Sequence, residues 1–341
     1  MKNTLINILL RLIPTKKNGE GKDLRILVVS TTGLGDSLWG TPAIRALRQK
    51  HPNARIALLT SPIGKQVFSN NPNIDEIFVL KSPFVFSAFK LFSSLRKQKF
   101  NAAYIFHISQ RITLPLVSLS GASKIVGTKG INKGLDHLLS HPQDPIKIHE
   151  IERRLKIVDC AGAKADMELF VTEKENEKAL EHLPTAPLLI GMHPGAKDRF
   201  KQWNPKYFIE LGRRLTQEKG ALILITGDLS EAKLCEEIAT NIPRAVSLAG
   251  KLPLRPISAL IEKLDFFITN DTGPMHIAFA MNTPTLALFS PTDPMLCGPY
   301  KTNATVLAKP KTCAPCLRKK CRSPFCMEQI SPQEVYELIS L

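Results

Sequence analysis

Asn270-Asp271-Thr272-Gly273-Pro274-Met275-His276 gathers a turn, a hydroxyl, a helix start and an imidazole within seven residues. The apolar run Asp265 to Ile268 reads as a strand before it, and Thr285-Leu286-Ala287-Leu288-Phe289 as a strand after a short helix. Asn270 and Asp271 are turn formers, Gly273 is expected as the N-cap, and Pro274 as the first helical residue, where a missing N–H is no loss. Such a start turns unpaired N–H groups and the positive end of the helix dipole toward an anion. Thr272 adds a hydroxyl, and His276 is expected to return to the same mouth one turn on. The chemistry expected of this strand–turn–helix–strand unit is diphosphate binding. Asp271 and His276 have a plainer alternative, which is to hold the turn and the helix cap by hydrogen bonds.

Two other stretches bring polar chemistry to a strand end. After the strand Arg25-Ile26-Leu27-Val28-Val29-Ser30 comes Thr31-Thr32-Gly33-Leu34-Gly35-Asp36, and a helix runs through Ala43 to Arg48. Gly33 and Gly35 allow a tight turn at the carboxyl edge, where open α/β sheets bind ligands. Without a further glycine at the right spacing this is a weak dinucleotide fingerprint. Asp36 puts an acid at that edge, and a helix N-cap is its plainer role. The strand Leu188 to His193 leads into a basic, glycine-containing turn, Pro194 to Trp203. Four of the seven cysteines, Cys313, Cys316, Cys321 and Cys326, fall within fourteen residues among Arg318, Lys319, Lys320 and Arg322. Zinc ligation, reduced thiols and disulfides all remain open for them, disulfides being disfavoured without a secretion signal.

The elements that must position these groups alternate along the chain. Strands are expected at 25–30, 55–60, 76–80, 102–106, 124–127, 188–193, 221–227, 245–248, 265–268 and 285–289, with helices between them. Alternation of this kind argues for parallel, doubly wound sheets. At 341 residues the chain suits two domains rather than one core. Expected boundaries are an amphipathic arm and linker at 1–23, an N-terminal Rossmann-like domain at 24–182, and a C-terminal one at 188–330 that carries the Cys-rich tail 313–326. A final helix is expected over 331–341, with Ser331 as its cap and Pro332 at its first position. The prolines at 184 and 187 mark the linker. Facing sheets imply an interdomain ligand cleft. Residues 128–150 read as a polar loop whose His137, His141 and His149 are surface residues.

The formal charge is +16, and residues 1–110 hold 16 Lys and Arg against 5 Asp and Glu. This excess suits an anionic partner such as lipid head groups or a phosphorylated glycolipid, or else is a solvated basic face. No aromatic-interleaved basic motif appears, so nucleic acid is not expected. No apolar run approaches the roughly 20 residues of a membrane span. Met1 to Pro14 is too short and too polar for a signal peptide, and is expected to be an arm touching a membrane surface or a second copy, or a frayed terminus.

Taken together, Gly33-Leu34-Gly35-Asp36 with Thr41-Pro42-Ala43-Ile44, His193-Pro194-Gly195-Ala196 with Lys201-x-Trp203, Gly227 with Glu231, and Asp271-Thr272-Gly273-Pro274-x-His276 resemble the bacterial glycosyltransferase family 9 enzymes. These are the ADP-heptose:lipopolysaccharide heptosyltransferases, of GT-B fold. The resemblance implies an acceptor in the N-terminal domain, beside the Gly33–Gly35 loop, and a nucleotide-sugar in the C-terminal one. Asp36 would be the general base of an inverting transfer. Lys201, with the Thr272-Gly273 turn, would stabilise the departing diphosphate. His193, Gly195, Ala196, Gly227, Glu231, Asp271, Thr272, Gly273 and His276 would line the donor site, with Glu231 suited to ribose hydroxyls. No cofactor would be required, and no Asp-x-Asp motif is present to hold a metal. The implied setting is cytoplasmic, peripheral at the inner membrane, with ADP-heptose as donor and an anionic glycolipid as acceptor. The rival readings are another nucleotide-sugar enzyme of GT-B shape, such as a different glycosyltransferase or a 2-epimerase, and a non-catalytic nucleotide- or lipid-binding protein.

Overall fold

The computed structural model describes residues 24–300, 302–313, 316, 320–321 and 325–339. The expected N-terminal arm, the basic residues Arg318, Lys319 and Arg322, and the last two residues of the chain lie outside them. The chain divides into two compact units between Phe170 and Val171.

The first unit is a six-stranded parallel sheet in the order β3-β2-β1-β4-β5-β6. Its strands are β1 (Arg25–Ser30), β2 (Arg55–Thr60), β3 (Glu76–Val79), β4 (Ala102–His107), β5 (Lys124–Thr128) and β6 (His141–Gln143). β1 and β2 are apolar on both faces and buried almost throughout, as central parallel strands must be. The helices Thr41–Lys50, Pro62–Phe68, Phe84–Lys97 and Thr113–Leu119 make the crossovers. Ser61 caps the second of them by accepting from Gly64 N at 3.1 Å. β6 lies inside the stretch expected to be loop. Its Pro142 lacks a ladder donor, which an edge strand tolerates.

The second unit repeats the plan, in the order β12-β11-β10-β7-β8-β9. Here β7 is Leu189–His193, β8 Leu222–Ile225, β9 Ala245–Ser247, β10 Phe266–Asn270, β11 Thr285–Phe289 and β12 Ala304–Ala308. The helix Pro205–Lys219 begins on an Asn204 cap and ends at Gly220, whose φ of 66° supplies the left-handed stop. Trp203, Phe208, Leu211, Leu215, Ile223 and Ile268 fill one face of this sheet. In both sheets the strand order reverses beside the first strand, between β1 and β4 and between β7 and β10. Those two switch points are where such sheets open a crevice at their carboxyl edges.

The division between the units falls earlier than the proline-rich stretch at 184–187. The helix Glu173–Leu180, capped by a Thr172/Glu175 box, belongs to the second unit. It packs on the helix Leu254–Glu262, and Glu175 takes both Arg255 Nε (2.5 Å) and Nη2 (2.9 Å). The C-terminal helix, Pro332–Glu337, starts on the expected Ser331 cap. Within the second unit it lies on the helix Pro205–Lys219. Tyr336 donates to Glu218 at 2.7 Å, and the Arg214 guanidinium sits 3.6 Å from the Tyr336 ring centre.

Candidate active site

In the first unit Asp36 lies on a one-turn helix, Leu34–Leu38, directly after β1. Gly33 is its N-cap and Gly35 is inside it, so the expected glycine loop is helical and Asp36 is not the cap. The Asp36 carboxylate faces the end of β4 and the helix Glu150–Ile157 instead. Arg154 Nη2 stands 3.3 Å from Asp36 Oδ1, and His107 Nδ1 stands 3.9 Å from the same oxygen. Arg154 is fully buried, with its guanidinium carbon 5.3 Å from the Trp39 ring centre. Its Nη1 donates to Glu150 Oε2 at 2.5 Å and to the Glu150 carbonyl at 2.9 Å. Burial pushes the Glu150 carboxyl up, but Arg154 and Arg153 outweigh it and hold the group down at about 2. Burial lowers His107, against the pull of Asp36, so its imidazole is neutral at pH 7. Oδ1 is engaged by Arg154, and 27% of the Asp36 side chain remains exposed.

Sequence reasoning missed Arg154, Glu150 and His107 as neighbours of Asp36. The signal available was a strand ending in His107 and an acid–base run opening a helix at Glu150. Pairings 118 residues apart are not visible in spacing. His149 is also not the surface residue expected. It is buried, and its Nδ1 accepts from Ile151 N at 3.2 Å as the cap of the Arg154 helix.

In the second unit the sequence candidates converge at the carboxyl ends of β10, β7 and β8. Lys201, on a single 3-10 turn, donates to Asp271 Oδ2 at 2.5 Å, and Thr292 Oγ1 donates to the same oxygen at 2.5 Å. An ammonium has three donors, so Asp271 occupies one and aims the others. Two residues on, Trp203 turns the other way into the core, where its Nε1 donates to the Ile330 carbonyl at 2.8 Å. Asn270, expected as a turn former, is the last residue of β10 and a clamp for this loop. Its Nδ2 donates to the carbonyls of Pro194 (2.8 Å) and Gly195 (3.3 Å), and its Oδ1 accepts from Trp203 N at 3.1 Å. Ala196 is buried, and its carbonyl takes Gln202 Nε2 at 2.9 Å.

The helix Gly273–Ala280 starts one residue earlier than expected, with Thr272 as N-cap and Pro274 second. Thr272 is extended (φ −151°), and its side chain makes no capping bond. His276 is buried and packs edge-on against Phe279, with 5.8 Å between centroids. At β7, His193 Nδ1 pairs with Thr226 Oγ1 at 3.0 Å, and burial brings the imidazole down to about 4, so it is neutral at pH 7. Its Nε2 lies 3.9 Å from Glu231 Oε2. Glu231 closes a reciprocal cap with Asp228 (3.0 Å from Asp228 N), and burial raises its carboxyl. A Cβ on Gly195 would stand 1.8 Å from Glu231 Oε1, so only glycine lets this carboxylate lie against the loop. Gly227 is similar, since a Cβ there would stand 2.6 Å from Cys235 Sγ.

The four tail thiols do not converge in this arrangement. Among the described residues no three His, Cys, Asp or Glu side chains form a metal-binding group. Cys326 Sγ instead takes Thr312 N and Oγ1, each at 3.2 Å. Among the described residues, no helix is long and apolar enough to cross a membrane.

Comparisons with known proteins agree with this layout. The curated lipooligosaccharide heptosyltransferase 2 of Campylobacter jejuni subsp. jejuni serotype O:6 is 27% identical over 328 residues, covering 93% of this chain and 98% of the relative. A solved family 9 glycosyl transferase from Veillonella parvula superposes with a TM-score of 0.83 at 22% identity, covering 94% and 97% of the two chains. The E. coli ADP-heptose lps heptosyltransferase II superposes with a TM-score of 0.76 at 22% identity, covering 92% and 97%. The α/β architecture is that of the GT-B heptosyltransferases. The profile described as glycosyltransferase family 9 (heptosyltransferase) matches residues 147–326, which include Arg154 and every donor-site candidate from His193 to His276. Since that match spans just over half of its length, this chain belongs to glycosyltransferase family 9, the heptosyltransferase family.

Proposed function

We propose that the chain transfers a heptosyl group from ADP-heptose to an anionic lipopolysaccharide inner-core acceptor, with inversion at the anomeric carbon. The observation that carries the reading is the Lys201–Asp271 pair beside the start of the helix Gly273–Ala280, in a chain of this family. An ammonium and a helix N-terminus suit a leaving group that gains negative charge as the glycosidic bond breaks. In the proposed step an acceptor hydroxyl oxygen attacks the anomeric carbon and the bond to the diphosphate oxygen breaks. The hydroxyl proton passes to Asp36, and ADP leaves. Arg154 is a positioning residue that holds Asp36 Oδ1 so that the second oxygen meets the hydroxyl. Glu231 receives ribose hydroxyls. Neutral His193 and the Gly195-Ala196 backbone line the same edge, and Asp271, Thr272 and His276 shape the turn that meets the diphosphate. Gly33 and Gly35 bring the Asp36 helix close to the acceptor. The cations for the leaving group come from the chain itself, so transfer is proposed to run without a divalent metal. The acceptor reading places the protein at the cytoplasmic face of the inner membrane.

The test is transfer from ADP-heptose, UDP-glucose or GDP-mannose to a Kdo-lipid A acceptor, with EDTA present. The expected result is acceptor-dependent release of ADP from ADP-heptose alone. Consumption of a nucleotide-sugar without acceptor would favour epimerisation. Nucleotide binding with no turnover from any donor would leave a binding protein.

A further inference from the structure

The helix Phe84–Lys97 covers its sheet with few residues. Only Ala88 and Leu95 are buried on it, while Val85, Phe86 and Phe89 are 70%, 71% and 82% exposed and Phe84 is 37% exposed. Three phenylalanines and a valine in two turns are a contiguous apolar patch, unlike the scattered single side chains normal on a soluble surface. Lys81 precedes the patch, and Lys90 and Lys97 continue its outer face at helical spacing, all exposed, with Lys99 just beyond. Between Glu76 and Asp136 the sequence has no Asp or Glu and nine Lys and Arg. The helix itself carries no acid, and Glu76, which accepts from Gln98 Nε2 at 2.9 Å, stands at its far end, away from the phenylalanines. An apolar stripe rimmed by cations fits an anionic bilayer surface, into which aromatic rings insert while lysines stay at the head groups.

Topology adds a direction. In a parallel sheet each crossover helix starts at the carboxyl edge, so Phe84 to Phe89 lie at the edge from which Asp36 projects. β3 is two strands from β1, roughly 10 Å along the sheet. Helical side chains lean toward the helix N-terminus, which tilts these rings farther toward that edge.

We propose that the first two turns of the helix Phe84–Lys97 dock the protein on an anionic lipid bilayer, with Phe86 and Phe89 inserted and Lys81, Lys90 and Lys97 at the head groups. The proposal rests on the glycolipid-acceptor reading for its purpose: an acceptor anchored in the bilayer would then reach Asp36 without leaving the lipid.

The test uses the full-length chain in sedimentation with large unilamellar vesicles of pure phosphatidylcholine or of phosphatidylcholine with one-third phosphatidylglycerol. The wild type should bind the phosphatidylglycerol vesicles at least about tenfold more tightly than the neutral ones, with binding weakened by salt. A Phe86→Ser/Phe89→Ser variant should lose about tenfold or more of that binding, and Lys90→Glu/Lys97→Glu a similar factor. Thermal melts and turnover on a water-soluble, deacylated acceptor should match wild type. Absence of vesicle binding by wild type, or unchanged binding by Phe86→Ser/Phe89→Ser, overturns the docking proposal. So does light scattering in which that variant only turns a dimer into a monomer, since the patch would then be a self-association face. Turnover on the deacylated acceptor without vesicle binding sinks docking alone, whereas vesicle binding without turnover on any donor sinks the transfer reading alone.

Discussion

The Lys201–Asp271 pair separates a chemical role from a structural one. Lys201→Met leaves Asp271, 6% exposed, with Thr292 as its side-chain partner among the described residues. At 2.5 Å and an effective dielectric near 20, the Coulomb attraction is roughly 7 kcal/mol, most of it offset by desolvation. Removing one partner of a buried pair costs about 3–5 kcal/mol. Because one-fifth of Lys201 is exposed, the lower end, about 3 kcal/mol, is expected. Asp271→Asn alone keeps an acceptor for Thr292 and removes the orphan charge when combined with Lys201→Met. The double variant should therefore recover urea stability to within about 1 kcal/mol of wild type. Turnover should not recover. If Lys201 meets the departing diphosphate, the double variant remains roughly 100-fold or more below wild type, the size of effect seen when one preorganised donor is lost. Urea unfolding and ADP release, measured on all four members of the cycle, decide it. Turnover returning to within about tenfold of wild type in the double variant would refute the leaving-group role and leave Lys201 as the counter-ion of Asp271.

Three further outcomes follow from the geometry. Arg154→Met should lower kcat about 10- to 100-fold with ADP affinity unchanged, because Asp36 loses the group that orients it; a matching loss of ADP affinity would contradict a positioning role confined to Asp36. His193 binds its proton near 4 when folded and near 6.5 when unfolded, so its share of stability is full above pH 6.5 and falls as pH drops toward 4, by roughly 3 kcal/mol in all. In His193→Asn that segment of the urea midpoint against pH should flatten, and an unchanged slope would count against burial of a neutral ring. Gly195→Ala must displace Glu231, so ADP affinity should fall about tenfold while thermal stability changes little; unchanged affinity by calorimetry would remove Glu231 from the ribose.

The strands that carry the site were legible because each is a continuous apolar run ending in polar residues. β1, β7 and β10 are read directly from Ile26–Val29, Leu189–Met192 and Phe266–Ile268. Of the four edge strands, β3 and β9 were expected, and β6 and β12 were not. β6 is the three residues His141-Pro142-Gln143, and β12 lies half-exposed at the sheet margin, so neither shows a buried pattern. The two α/β units followed from alternation, and the GT-B fold from the family 9 resemblance that the motifs carry. The boundary between them did not, because Glu175 and Arg255 meet across 80 residues and draw the helix Glu173–Leu180 into the second unit. The candidate site divides in the same way. The motif residues mark the sheet edges, but the pairs Lys201–Asp271, Arg154–Asp36 and Asn270–Gly195 exist only once the strands are side by side. For the tail thiols the sequence leaves zinc, reduced thiols and disulfides open, and the Thr312–Cys326 contact is again one that spacing does not show.

The central claim is that Asp36 accepts the acceptor's proton while the other unit holds the donor. It is tested most directly by Asp36→Asn, a near-isosteric change at a partly exposed side chain that does not cap its helix. Initial rates of ADP formation from ADP-heptose and acceptor, with ADP affinity measured by calorimetry on the same preparations, give the result. The account predicts a fall in turnover of roughly 10²- to 10⁴-fold with ADP affinity within about twofold of wild type. Turnover within about tenfold of wild type, or parallel loss of turnover and ADP affinity, would contradict it.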